Sequence, residues 1–186
     1  MLASASPRRS ELLALAGIKF RVVPAEICED ALPGEAAADH VIRLSLEKAK
    51  AVAALTEGHL FIGADTVVVL EGAIMGKPTD EKDAYEMLSS LSGRTHEVIT
   101  GFTLFDKDTG NCLSRSVRTE VAFRPLREEE IRQYVASGCP MDKAGAYAIQ
   151  GGAVHFVSSI CGSYSNVVGL PMAELYEALI NQGFHI

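Results

Sequence analysis

The stretch that decides the fold is Met1-Leu2-Ala3-Ser4-Ala5-Ser6-Pro7-Arg8-Arg9-Ser10, which runs directly into the helix-forming residues 11–16. Pro7 suits the first helical position because its missing N–H is no loss there, and Ser6 is then the natural N-cap. A strand–turn–helix is therefore predicted, with Arg8 and Arg9 beside the positive end of the helix dipole. Such a site matches a polyphosphate. The competing interpretation is an ordinary helix start with two solvated arginines.

Outward from this stretch, helical and strand patterns alternate along the chain. Apolar periodicity, capping residues and turn residues predict helices over residues 36–56, 80–91, 128–137 and 171–182. Strands are predicted over residues 20–24, 60–70, 95–105, 112–123, 147–149 and 154–160, the third and fourth joined by the turn at 106–110. The fold class expected is α/β, with a mixed curved β-sheet flanked by helices, in a single domain over residues 1–186.

Composition excludes several classes of protein. The 186 residues carry a net charge of −7, which argues against a general nucleic-acid binder. No signal peptide or transmembrane span is recognised, because the apolar stretch at 60–70 contains Asp65. Cysteines occur at 28, 112, 139 and 161 without a C-x-x-C pair, which predicts free thiols in a cytoplasmic protein rather than a zinc site.

Lys48 interrupts an apolar stripe on the long predicted helix. The stripe is spaced three and four residues apart and consists of Val41, Leu44, Lys48, Val52 and Leu55. An unpaired ammonium group there is costly, so Lys48 needs carboxylates or a ligand phosphate. Alternatively, its side chain extends to the edge of the stripe and reaches water, as lysines commonly do.

Asp65 is predicted to lie at a break in the strand at 60–70, within Gly63-Ala64-Asp65-Thr66. A carboxylate in that position can hold a metal or accept a proton, or it can simply cap a turn. Lys77 lies between Gly76 and Pro78. This turn either holds the lysine ammonium group in a fixed position or is an ordinary surface turn.

Gln150 is followed by two glycines at the end of a Gly-rich stretch over residues 137–152. This stretch is too rich in glycine for a helix and too apolar for disorder, so it is predicted to approach a ligand closely. The Gln150 amide can then pair with the edge of a nucleobase.

Together these segments resemble the Maf family of nucleoside triphosphate pyrophosphatases. The matching pieces follow the family order from one end of the chain to the other: residues 2–13, Glu47-Lys48-Ala49, residues 63–68, Gly76-Lys77-Pro78, residues 91–98, residues 142–151 and residues 162–171. Each piece is weak alone, whereas the ordered set is highly specific.

The resemblance implies an inosine-triphosphatase-like fold of two lobes around a central cleft. It also implies hydrolysis of a nucleoside triphosphate to the monophosphate and pyrophosphate with a divalent metal cation, Mg²⁺ or Mn²⁺. Asp65 matches the proton acceptor of the family, and Glu29, Lys48 and Lys77 match other catalytic positions. Ser4, Arg8 and Arg9 match the phosphate-binding loop, whereas Arg8, Thr66 and Gln150 match positions that determine substrate choice. From the residue chemistry, Asp65 and Glu29 are the metal ligands expected.

Within the family, Asp142-Lys143-Ala144-Gly145-Ala146-Tyr147 followed by Ile149-Gln150-Gly151 resembles the branch that acts on dTTP and UTP. The branch that acts on 7-methyl-GTP departs in this stretch and is the alternative. The family resemblance also suggests a homodimer. A second alternative is a nucleotide-binding regulator of cell division that inhibits septum formation. The presence of Glu29, Lys48, Asp65 and Lys77 favours an enzyme, and an inert nucleotide-binding module would leave Asp65 and Lys48 without a role.

Overall fold

The computed structural model describes residues 1–184 and has the predicted mixed α/β architecture. Its strands are β1 (Leu2–Ala3), β2 (Leu60–Leu70), β3 (Ala73–Met75), β4 (Thr95–Asp106), β5 (Cys112–Phe123) and β6 (Val157–Cys161). Its helices are α1 (Pro7–Leu15), α2 (Ala37–Leu55), α3 (Glu81–Leu91), α4 (Glu128–Ala136), α5 (Tyr164–Val168) and α6 (Met172–Asn181). The strands form one sheet in the order β1-β2-β4-β5-β6, with β3 paired to β2. The sheet is mixed because β1 runs parallel to β2, whereas β3 and β6 run antiparallel to their partners.

The chain divides into two compact units. The first comprises Met1–Thr66, Thr100–Val117 and the segment from Gly169 onward, and the second comprises Val67–Ile99 and Arg118–Val168. This division agrees with the two lobes that the family resemblance implies. The central cleft and the single-domain organisation stay predictions. Within residues 1–184, no helix combines the length and the apolar character needed to span a bilayer.

The first unit contains the predicted strand–turn–helix. Leu2 and Ala3 align in register with Ile62 and Gly63 of β2, and Pro7 begins α1. Leu2 is fully buried in an apolar cluster with residues of α1, β2, β4 and α6. This burial fixes the short strand, although it has only two residues.

Helix α2 lies unusually close to β2 because Gly63 has no side chain. A Cβ atom at Gly63 would stand 1.9 Å from the carbonyl oxygen of Ser45 and 2.9 Å from the backbone nitrogen of Ala49. Both distances are shorter than real contacts allow, so only glycine permits this approach. The close packing places residue 48 of α2 beside residue 65 of β2.

The second unit is built around a tight hairpin and a buried aromatic cluster. Glu71 and Gly72 both have positive φ angles between β2 and β3, as a type I′ turn requires. The rings of His96, Phe123 and Tyr147 meet edge-on, with centroids 4.8–5.4 Å apart. Tyr147 of this cluster belongs to the buried segment 146–149, which leads to residue 150.

Several predicted elements differ in detail from the structure. Residues 60–70 form one continuous strand without a break, because an ion pair accommodates the buried Asp65. The strand predicted at 20–24 is only an extended segment with a single bridge from Leu2 to Val22. The strand predicted at 147–149 is absent, and the one at 154–160 begins only at Val157 after a 3₁₀ turn. Helix α3 begins at Glu81 rather than at residue 80, because Asp80 caps it by accepting a hydrogen bond from the Asp83 amide.

Candidate active site

One ammonium group joins two carboxylates in the first unit. The Nζ atom of Lys48 donates a hydrogen bond to Oδ1 of Asp65 at 2.7 Å and lies 2.6 Å from Oε1 of Glu29. The Lys48 and Asp65 side chains are only 8% and 11% exposed, whereas Glu29 is 42% exposed. The arrangement is therefore a buried ion pair with a third, solvent-facing charge at its edge.

Helix α2 explains why Lys48 is buried. Its apolar stripe packs inward through Val41, Leu44 and Val52, and Lys48 lies among them as the sequence predicts. Lys48 does not extend to water, because Asp65 and Glu29 satisfy its charge. The stripe ends at Val52, since Leu55 is 86% exposed.

Arg9 connects the N-terminal turn to three other segments of the first unit. Its Nε donates to the Gly169 carbonyl oxygen at 2.7 Å, and its Nη1 donates to the Ala64 carbonyl oxygen at 2.9 Å and to Ser4 Oγ at 3.1 Å. Its Nη2 donates to Thr66 Oγ1 at 3.0 Å. The structure thus brings Ser4, Arg9 and Thr66 together, with most of the guanidinium donors already used within the protein.

The pKa of Arg9 reflects both its burial and the charges around it. Desolvation lowers the pKa of Arg9, whereas the carboxylates of Asp65 and Glu29 raise it and the neighbouring Arg8 lowers it. Arg9 therefore lies within electrostatic reach of both carboxylates on Lys48. By contrast, Arg8 is half-buried and forms no hydrogen bond or ion pair with any residue from 1 to 184.

Lys77 and Gln150 belong to the second unit. Lys77 is exposed between β3 and α3, where the backbone is held because the Gly145 amide donates to the Gly76 carbonyl oxygen at 3.0 Å. The side-chain oxygen of Gln150 is buried, and within residues 1–184 it has no hydrogen-bond partner. A buried acceptor without a donor is rare in folded proteins and needs an explanation.

The two carboxylates on Lys48 fit a hard divalent cation. Both carboxylate oxygens lie within 2.7 Å of the Lys48 ammonium nitrogen, so a divalent cation bound here would share them with Lys48. Among residues 1–184, no group of three or more His, Cys, Asp or Glu side chains is arranged to hold a metal. A set of two carboxylates suits Mg²⁺, which keeps several waters and completes its shell with substrate phosphates.

The sequence did not indicate two of the polar contacts at this site. Thr100 Oγ1 lies 3.0 Å from Thr66 Oγ1, and the Gly169 carbonyl oxygen accepts from Arg9. In the sequence, Gly169-Leu170-Pro171 indicates a loop before α6. This pattern does not predict that the Gly169 carbonyl oxygen bonds to Arg9, 160 residues away.

Comparisons with known proteins agree with the residue-level resemblance. A family model described as "Maf-like protein" matches residues 1–182. A protein of Geobacter sp. (strain M21) named "dTTP/UTP pyrophosphatase" is 62% identical over 96% of this chain and 93% of its own length. Proteins with the same name are 60% identical in Geobacter sulfurreducens, over 96% and 94%, and 50% identical in Syntrophomonas wolfei, over 100% and 98%.

A solved structure titled nucleoside-triphosphatase / dITP/XTP pyrophosphatase, from Mycobacterium abscessus, also matches. It is 14% identical with a TM-score of 0.39, and the match covers 66% of this chain and 71% of that one. The inosine-triphosphatase-like fold stays a prediction at this level of similarity.

Proposed function

This chain belongs to the Maf-like protein family, and we propose on that basis that it hydrolyses dTTP and UTP to their monophosphates and pyrophosphate. The name that its relatives share supports the substrates. The observation that carries the mechanism is the buried Lys48 between Asp65 and Glu29. The resulting activity removes nucleotides from the cellular pool.

In the proposed reaction, water attacks the α-phosphorus of the triphosphate. The water oxygen forms the new bond to phosphorus, its proton passes to Asp65, and the bond to the α,β-bridging oxygen breaks with its electron pair on the departing pyrophosphate. Asp65 suits the role because it is a carboxylate at a nearly buried position, held through Oδ1 by Lys48. A positioned general base of this kind contributes roughly 10²- to 10⁴-fold to the rate.

Negative charge on the leaving pyrophosphate requires positive partners. Arg8 is the suited phosphate ligand of the N-terminal turn because its guanidinium is not engaged by residues 1–184. Lys77 is exposed on its turn and is assigned the same role from the family resemblance. Arg9 donates hydrogen bonds to Ser4 and Thr66, and these three residues support the phosphate-binding loop.

Gln150 is proposed to read the base. Thymine and uracil share an N3–H donor flanked by two carbonyl oxygens, and the Gln150 side-chain oxygen is a buried acceptor without a donor. Pairing with N3–H satisfies that oxygen, whereas the cytosine N3 atom is an acceptor and leaves it unpaired. Leaving a buried acceptor unpaired costs about 1–3 kcal/mol, which is enough to discriminate between pyrimidines.

A divalent cation, Mg²⁺ or Mn²⁺, belongs to the proposal, with Asp65 and Glu29 as its protein ligands. When bound, such a cation neutralises phosphate charge and acidifies water. A homodimer and a cytoplasmic location are further proposals that rest on the family resemblance. The four free and exposed cysteines support a reducing compartment.

Pyrophosphate release from a panel of triphosphates tests the substrate assignment. The panel is dTTP, UTP, CTP, dCTP, GTP and 7-methyl-GTP, each with Mg²⁺ and with Mn²⁺. Preferential turnover of dTTP and UTP is expected. Preference for 7-methyl-GTP would contradict the role given to Gln150, and binding without turnover of any nucleotide would favour the regulator of cell division.

Replacing Asp65 by asparagine tests the proton acceptor. We expect Asp65→Asn to lower kcat by roughly 10²- to 10⁴-fold, because the amide keeps the shape but does not accept the proton. Affinity for a non-hydrolysable α,β-linked dTTP analogue, measured by calorimetry, should stay within a few-fold. Asp108→Asn, on an exposed turn, is the matched control and should retain wild-type kcat. A nearly fully active Asp65→Asn protein would refute this role.

A further inference from the structure

A charged cluster lies at the end of the acidic loop formed by residues 26–35, which contains no helix or strand. In this Glu35 cluster, which consists of Glu35, His40 and Arg43, the Glu35 carboxylate receives two hydrogen bonds from Arg43, at 2.6 and 2.8 Å. Its Oε2 atom also accepts from the Leu32 amide at 3.1 Å and lies 2.9 Å from His40 Nδ1. Both oxygens of Glu35 are therefore engaged.

The Glu35 cluster is more buried than an ordinary surface ion pair. The side chains of Glu35 and His40 are 9% and 5% exposed, and that of Arg43 is 23% exposed. The hydrogen bonds from Arg43 hold the pKa of Glu35 far below its usual value, so the carboxylate stays ionised. A bidentate arginine–carboxylate pair of this kind fixes orientation as well as distance.

Arg43 also binds the backbone of the loop beside Glu29. Its Nη2 atom donates to the carbonyl oxygen of Asp30 at 3.1 Å. Glu29, the residue directly before Asp30, reaches Lys48, which follows Arg43 by five residues, or about 1.4 turns of α2. Because the Glu29 side chain is 42% exposed, packing around it does not fix its position.

We propose that Glu35 and Arg43 are positioning residues, which hold the 26–35 loop so that the Glu29 carboxylate stands at Lys48 and Asp65. The proposal rests on the proposed pyrophosphatase function, in which Glu29 contributes to the site. Neither residue belongs to the motifs that carry the family resemblance, and neither touches Asp65. Their effect on the reaction therefore passes through Glu29.

A purely structural role makes a different prediction. Glu35 directly precedes the N-cap residue Ala36, which makes no side-chain capping bond, so Glu35 also stabilises the N-terminus of α2. If that were its whole contribution, loss of the cluster would lower activity equally whether or not Glu29 is present. A double-mutant cycle between Arg43 and Glu29 separates the two roles.

The cycle compares wild type, Arg43→Gln, Glu29→Gln and the double variant in steady-state pyrophosphate release from dTTP. We expect Arg43→Gln to lower kcat/KM by roughly 10- to 100-fold in the wild-type background, the range for a misplaced group. In the Glu29→Gln background the same change should cost less than about twofold. Arg124→Gln is the matched control, because Arg124 forms a similar two-bond pair with Glu130 at 2.6 and 3.2 Å in the second unit. Arg124→Gln should lower the free energy of unfolding, but its effect on kcat/KM should be the same with Glu29 and with Gln at position 29.

Hydrogen exchange provides a readout that does not depend on turnover. The amides of Leu32 and Glu35 are protected by bonds to the Glu35 side chain and the Leu32 carbonyl oxygen, so Arg43→Gln should speed their exchange and leave strand β2 unchanged. Equal fold losses in both backgrounds, or no loss in either, would overturn the proposal. A wild-type protein that releases no pyrophosphate would refute the proposed function instead. In that case, amide exchange within residues 26–35 would be the remaining test of the positioning role. Exchange in Arg43→Gln that equals the wild-type rate would overturn that role.

Discussion

Replacing His96 by glutamine should remove an acid sensitivity that is built into the second unit. His96 is 2% exposed on β4, where its Nε2 atom lies 2.7 Å from the hydroxyl oxygen of Tyr147. Burial lowers the pKa of His96 from 6.5 to about 4 and raises the pKa of Tyr147, so both side chains are neutral in the folded protein. Protonating His96 would place a charge beside the rings of Phe123 and Tyr147, and no carboxylate among residues 1–184 forms an ion pair with it.

The size of the effect follows from the two pKa values of His96. In the unfolded chain His96 binds a proton near pH 6.5, whereas in the folded protein it does so only near pH 4. The unfolded state therefore gains protons first as the pH falls, and the free energy of unfolding decreases between these values. At pH 5 the difference amounts to about 2 kcal/mol, and above about pH 7 it vanishes.

Urea unfolding at about pH 5 and about pH 7.5 measures this term directly. The wild-type free energy of unfolding should fall by about 2 kcal/mol more than that of His96→Gln, because all other titrating groups are common to both proteins. Between about pH 7.5 and pH 9 the two proteins should change in parallel, which is the internal control. Equal losses on acidification in both proteins would refute the assignment of a neutral, buried His96.

Two further substitutions test the packing of the first unit. Gly63→Ala should lower the free energy of unfolding by about 3 kcal/mol, because the new Cβ would meet the Ser45 carbonyl oxygen at 1.9 Å. Gly76→Ala, whose Cβ would meet no atom, is the control in the same urea titration, and equal effects would argue against the close approach of α2. Arg9→Lys should lower stability by about 1–3 kcal/mol and lower kcat with it, since lysine keeps the charge but loses the fork that reaches Thr66. Wild-type stability with a raised KM alone would instead assign Arg9 to phosphate binding.

The sequence predicts the elements whose hydrophobic periodicity and turn residues are themselves sufficient to define them. Helix α2 was predicted within one residue at each end, because its apolar stripe has a strong helical period. Strand β5 was predicted at its observed bounds and β4 within one residue, because a polar turn separates two long β-rich runs. Errors concentrate where a partner distant in sequence decides the structure. Val22 makes one bridge rather than a strand because its partner, β1, has two residues.

The candidate site shows the same limit. A buried Lys48 predicted the need for a carboxylate but did not identify Asp65, which stands 17 residues away. Asp65 was expected at a strand break because a lone carboxylate in an apolar strand is unfavourable. The ion pair with Lys48 removes that penalty, and β2 continues through it. The sequence does not predict the Glu35 cluster, because charged residues in a Pro- and Gly-containing loop are usually solvated and no local pattern indicates that Glu35 is buried.

Two adjacent arginines with the same sequence signal have different surroundings in this structure. The sequence groups Arg8 and Arg9 as a cationic pair at a helix start, yet Arg9 donates four hydrogen bonds to Ser4, Ala64, Thr66 and Gly169. Residues 1–184 offer no such partner to Arg8. A chain with a net charge of −7 must concentrate positive potential locally to hold a triphosphate. Because most Arg9 donors are already bonded to carbonyl and hydroxyl oxygens, we expect phosphate binding at the N-terminal turn to depend mainly on Arg8 and the backbone N–H groups at the start of α1.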